Sequence, residues 1–257
     1  MKQRHLPEDQ AEALKVIKNS VGKIIGTQKN FQRFFDSFTL KDSFYSLLPP
    51  ALQNDLPDMA PGELRWQCFS DGFVIYIPLG NGLVKSPASS IFGMLMAAGC
   101  HCLIGLAAKS PVRIGIDVAW AVEYRPGELY GPAIAFSHHL ESKVAQWPRV
   151  VVGDGLIDYL HHYIETAPND MSGKTRKSMS EICLGLIETD TDGIKILDYL
   201  GQNYRRAAGG AMKPEVEMKA KEFISEQLSH WHQLGNKKLE DRYLEVSHYF
   251  HSHVVSP

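Results

Sequence analysis

The stretch Ser89–Ala108, SSIFGMLMAAGCHCLIGLAA, constrains this chain more than any other. It holds no acidic or basic side chain, and His101 is its one titratable group besides Cys100 and Cys102. Strands buried on both faces run to about eight residues, so the length and the small residues among the apolar ones predict a buried helix. A helix that is apolar all round needs neighbours on every side. A chain of 257 residues with 44% hydrophobic side chains can supply them.

The flanking segments show what those neighbours are. Residues 8–25 place Ala11, Leu14, Ile17, Val21, Ile24 and Ile25 at helical spacing behind Pro7. Residues 28–48 are rich in aromatics and predict a second helix, and LLPPALQNDLPDMAPGE, with its four prolines, reads as a connector. A β-hairpin follows, with arms near 65–70 and 73–79. After the apolar helix, VRIGIDVAWAVEY reads as one strand, RPGELYGP as a turn, AIAFSHHLESKVAQW as a helix and PRVVVG as a short buried strand. The order β, β, α, β, α, β over 65–153 predicts an α+β fold: a sheet with helices on one face.

Beyond it, DGLIDYLHHYIETA reads as a helix, NDMSGKTRKSM as a polar loop, and EICLGLIETDTDGIKILDYLG as a short strand and turn. VEMKAKEFISEQLSHWHQL and LEDRYLEVSHYFHSHV read as two amphipathic helices. The expected division is a domain over 1–155 and a mostly helical extension over 156–257.

A formal net charge of −2 gives no global field that attracts nucleic acid or an anionic membrane. Four cysteines without a disulfide pattern and an N-terminus lacking a signal-peptide core indicate a reducing, cytoplasmic setting. No run is expected to span a bilayer.

Several apparent motifs fail on spacing. Gly173-Lys174-Thr175 lacks the earlier glycine of a phosphate loop, because that position is Pro168. Glu188, Asp190, Asp192 and Gly193 start like a calcium loop, but Tyr199 stands where a closing Glu is needed, which favours a polar turn. Cys100, His101 and Cys102 would point to different faces of a helix, so a zinc site is rejected. His230, His232, His248, His251 and His253 read as a solvated face. Asp71, at the tip of the hairpin, either holds a metal ion or makes the turn with Gly72.

CFSDGFVIYIPL, PVRIGIDVAWAVEY and ELYGPAIAFSHHLESKVAQWPRVVV, taken in this order and spacing, resemble the class III nucleotide cyclase homology domain. More narrowly, they are similar to its divergent bacterial branch of pyrimidine cyclases in antiphage signalling. The resemblance implies a ferredoxin-like cyclase palm and a homodimer with sites at its interface. It implies conversion of a nucleoside triphosphate, UTP or CTP, to a 3′,5′-cyclic nucleotide plus pyrophosphate with Mn²⁺ or Mg²⁺. The product would activate a separate effector. A catalytically degenerate nucleotide-binding or dimerisation module is the alternative.

By the same resemblance Asp71 is the metal ligand, Phe69, Gln67 and Glu128 contact the substrate, and Arg113 and His139 are catalytic. The lysine of purine cyclases is Gln67 here, their base-contacting Asp is Glu128, and their Asn and Arg on the following helix fall at Ala135 and His139. Arg113 can orient phosphate or form a structural ion pair. Asp117 can act as a replacement acid or face solvent. An earlier strand carrying a second metal-binding Asp has no counterpart in 1–64, where FFDSF around Asp36 is the nearest imitation.

Overall fold

The computed structural model describes residues 10–39, 62–69, 72–80 and 87–253. The protein is α+β, with long helices and short strands among the described residues. The predicted apolar helix is α2, Pro87–Ala107, after a first helix α1, Gln10–Thr39. Contrary to expectation, α2 does have the length and hydropathy of a membrane span, with a mean hydropathy of 1.8. However, 78% of that window is buried inside the protein.

α2 is wrapped by α1, by α5 (Met171–Leu184), by α7 (Pro214–Gln233) and by strand β6 (Val150–Val152). Its small residues are the points of close approach. A Cβ on Gly93 would overlap Phe35 and Thr39 of α1, and one on Gly99 would overlap the ring of Tyr204. Tyr204 is fully buried, and its hydroxyl donates to the Met96 carbonyl.

The two helices expected over 8–25 and 28–48 are one helix as far as Thr39, and Phe44 and Tyr45 lie outside the described residues. Gly26 does not break it, because a helical glycine costs only about 1 kcal/mol relative to Ala. Burial of Phe31, Phe35 and Phe38 holds the C-terminal half.

Among the described residues, three small sheets complete the fold. β1 (Arg65–Cys68) and β2 (Phe73–Tyr76) form the expected antiparallel hairpin. The run VRIGIDVAWAVEY is not one strand. It is β3 (Ile114–Ile116), a turn outward, and β4 (Val122–Arg125). β4 pairs with β5 (Glu128–Tyr130) inside the segment expected to be only a turn. Gly127, at φ +80, makes that hairpin possible.

The largest sheet has the order β3-β6-β8-β7, where β7 is Ile187–Thr189 and β8 is Lys195–Leu197. β3 and β6 are parallel, with Ile114 opposite Val150 and Ile116 opposite Val152, and β8 is antiparallel to β6 and β7. Positions 155 and 156 fall in the first turns of α4 (Asp154–Glu165). The sheet takes strands from both sides of that point, and one buried cluster runs through both.

The polar loop expected over NDMSGKTRKSM is instead the start of α5. The Asp170 side chain accepts from the Gly173 N–H at 2.8 Å and caps the helix. Its buried face is Gly173, Met179, Ser180 and Cys183, too polar to show as an apolar stripe. The remaining helices are α3 (Pro132–His139, continued by a π-helical turn over Leu140–Val144), α6 (Gln202–Ala208) and α8 (Lys237–Ser252).

Gly115 in the middle of β3 lets α3 lie directly on the strand. A Cβ there would sit 2.4 Å from the Ser137 carbonyl oxygen and 2.8 Å from the Glu141 nitrogen. Backbone cannot yield as a flexible side chain can, so Gly115→Ala should destabilise the protein by about 2 kcal/mol. Urea denaturation would read this as a lower midpoint with an unchanged slope.

Candidate functional site

The hairpin β1–β2 closes through the Phe69 N–H, which donates to the Gly72 carbonyl at 2.8 Å. Ser70 and Asp71, between them, lie outside the described residues. Phe69 and Gly72 line a broad, mostly apolar groove together with β2, Arg113–Ala121, Gly131 at the start of α3, and the first turns of α4. The groove floor is Ile91, Met94, Ala98 and His101 of α2. Burial pushes His101 below its usual imidazole range.

Among the described residues β2 pairs only with β1, and β3 only with β6, so each strand that lines the groove has one unpaired edge. Their backbone N–H and C=O groups on that side have no ladder partner there.

The residues singled out from the sequence divide into two groups. Phe69, 45% exposed, and Arg113 line the groove. Arg113 is held by an ion pair from Nη2 to Glu141 Oε1 at 2.8 Å and by donation from Nη1 to the Ala145 carbonyl at 3.3 Å. Gln67, Glu128 and His139 are not among its lining residues. The Gln67 Oε1 accepts from the Leu129 N–H at 3.0 Å and ties the two hairpins together. Glu128 lies opposite Arg125 in the β4–β5 ladder. His139 is exposed on α3, whereas its neighbour His138 lines the groove.

Beside the hairpin, Glu123 accepts from the Tyr76 hydroxyl at 2.6 Å and from the Gly127 N–H at 3.0 Å, and it pairs with Arg65. The Tyr76 hydrogen bond, then the Gly127 amide, hold the Glu123 carboxyl below its usual range. Burial, then the bond to Glu123, pushes Tyr76 up to about 12. Both effects describe a locked contact that keeps the second hairpin against the first.

Asp117 is the acid that the sequence leaves ambiguous. It neither faces solvent nor stands free: its Oδ1 accepts from the Val118 N–H at 2.8 Å and the Leu156 N–H at 3.0 Å, at the start of α4. Gly153 and Gly155 make room, since a Cβ at either would overlap this carboxylate. Burial raises its pKa against the opposing pull of those amides, and Asp154 nearby adds to the rise. The contact joins residues 39 positions apart, so no local spacing signals it.

The calcium-like turn has another purpose. Asp190 and Asp192 each bind the buried Arg149 at 2.7 Å, and the Arg149 guanidinium lies 4.8 Å over the Trp147 ring. Cys100 and Cys102 point into the core, towards Tyr204 and the Val112 carbonyl, while His101 meets Phe31.

His253 is not part of a solvated face. Glu188, Asp198 and His253 bring ligand atoms within 4.8 Å of one another, the one such cluster among the described residues. His253 Nε2 is 2.8 Å from Asp198 Oδ1, and Nδ1 is 2.8 Å from the Tyr249 carbonyl. An acceptor at each nitrogen favours the protonated ring, which in that form has no lone pair for a metal. The Tyr249 hydroxyl also donates to Asp198, at 3.0 Å. None of the three lines the groove.

No family model, curated protein or solved structure matches this chain.

The Asp198 hydrogen bond raises His253 above its ordinary 6.5. A raised pKa means that the pair contributes stability fully below pH 6.5, and this is lost as pH rises through the folded-state value. The melting temperature should therefore fall on going from about pH 6 to about pH 8. His253→Gln should flatten that slope, as thermal denaturation across the range would show.

Proposed function

We propose that the chain is a metal-dependent nucleotide cyclase with the palm-like arrangement of that class. It closes the ribose 3′-hydroxyl of a nucleoside triphosphate, UTP or CTP, onto the α-phosphate and releases pyrophosphate. The observation that carries the reading is the groove. Residues of three segments that resemble cyclase motifs, Phe69 with Gly72, Arg113–Asp117 and Gly131 with the start of α3, line it together.

The groove suits this substrate. Phe69 offers an aromatic face to a base, and Arg113 a planar cation to phosphate once it exchanges Glu141 for the ligand. The acids Asp117 and Asp158 on its walls are hard oxygen donors of the kind that bind Mg²⁺ or Mn²⁺. Asp71 is the metal ligand in this reading and Asp117 the second acid, since its carboxylate stands on the groove wall. Such a cation supplies charge neutralisation on the phosphates. The apolar floor excludes water from the reacting phosphate. Gln67, Glu128 and His139 do not line this groove, so the reading rests on Phe69, Arg113 and the acids. The cyclic product signals to a separate effector in antiphage defence, within the cytoplasm.

A degenerate nucleotide-binding or dimerisation module is favoured by two observations. Arg113 is already neutralised by Glu141, and Asp117 is engaged as the cap of α4.

Incubation with each nucleoside triphosphate and Mn²⁺, followed by chromatography, should yield cyclic UMP or cyclic CMP and pyrophosphate. Asp71→Ala should lower the yield by about a hundredfold or more. If no triphosphate gives product while calorimetry still detects binding, the degenerate reading replaces the enzyme.

A further inference from the structure

α1 is half seated and half bare. Phe35 and Thr39 meet Gly93 of α2, and Phe31 meets His101, so the two helices run antiparallel. α2 ends at Ala107, six residues past His101. At 1.5 Å per residue in each helix, Ile25 reaches the level of that end and the residues before it overhang. The apolar face continues from that level along the overhang: Ile25, Val21, Ile17 and Leu14 are 44%, 47%, 57% and 54% exposed. A row of this kind on one helix face is not the scattered exposure that ordinary surfaces show.

The charge beside this row is of one sign. Lys15, Lys18 and Lys29 are exposed and have no ion-pair partner among the described residues. Lys18 is four residues after Leu14, and Lys29 four after Ile25, so both border the apolar row. From Glu12 to Lys29 the sequence has four lysines against one acid, although the whole chain carries a net charge of −2. The imbalance is local to the overhang and the turn of α1 that follows it.

We infer that the overhanging half of α1 is a docking face for an anionic lipid surface. Such a surface offers an apolar layer to Leu14, Ile17, Val21 and Ile25 and phosphate or carboxylate headgroups to the lysines at their rim. The aliphatic stems of Lys18 and Lys29 extend the apolar face, and their amines reach the headgroups. A second copy of the same helix would bring lysine-bordered faces of like charge together. Nucleic acid would neutralise the lysines and leave the apolar row in water. The inference is independent of what the groove binds.

The test is co-sedimentation of the full chain with phosphatidylcholine vesicles, with and without phosphatidylglycerol. The protein should pellet with the anionic vesicles, and binding should weaken as salt is raised. Lys18→Gln with Lys29→Gln should lower the binding constant about twenty-five-fold, at about fivefold for each lysine. Ile17→Asp with Val21→Asp should abolish binding while leaving the melting temperature unchanged, because both side chains are exposed. Absence of binding to the anionic vesicles, equal binding to neutral ones, or wild-type binding by the Asp variant would overturn the inference. So would sedimentation equilibrium that finds a dimer dissolved by the Asp variant in a protein that ignores vesicles, which would assign the face to a second copy.

Discussion

The fold depends on keeping water from one helix. α2 is apolar on every side, so no orientation of it can face solvent without loss. At roughly 25 cal/mol per Å² of apolar surface removed from water, covering it outweighs any single polar contact in the chain. α1, α5, α7 and β6 reach it from different directions, and glycines at 93 and 99 bring Phe35 and Tyr204 into direct contact with its backbone. Sheet and helices share one core because both are packed against this helix.

The groove follows from the same arrangement. α2 supplies the floor of the groove, and β2 and β3, each with one unpaired edge, supply lining residues above it. The polar contacts around it are mostly locks on geometry. Gln67 and Glu123 hold hairpin to hairpin, Asp117 holds the end of β3 to the start of α4, and Arg113 holds β3 to α3 through Glu141. These contacts fix the walls of the groove, whatever ligand it takes.

Reading from sequence succeeded where a signal was local and periodic. α2, the hairpin β1–β2, β6 and the two C-terminal amphipathic helices were legible because length, alternation or a 3.6-residue stripe marked each of them. α5 was not, because its buried face is built of Gly, Ser, Met and Cys and is marked only by the Asp170 cap. VRIGIDVAWAVEY read as a single strand because β-branched residues run through it. Asp117 ends that strand by turning to amides of a helix that begins at residue 154. The clustering of His253 with Asp198 and Glu188 was invisible for the same reason, since partners 55 and 65 residues apart leave no spacing to read.

The sequence by itself determined that this chain is α+β, that it is built round an all-apolar helix, and that a hairpin with an acid near its tip precedes that helix. These are matters of composition and period, which each segment carries without reference to the others. Only the tertiary structure decided which acids stand beside which cations. It gave Asp190 and Asp192 to Arg149, Glu141 to Arg113 and Asp198 to His253, and it set Asp117 on the wall of the groove. It also left half of α1 uncovered, because antiparallel packing runs out where α2 ends. The pairing of distant charges and the length of an overhang are set by how the helices and strands are stacked, and no single segment encodes that.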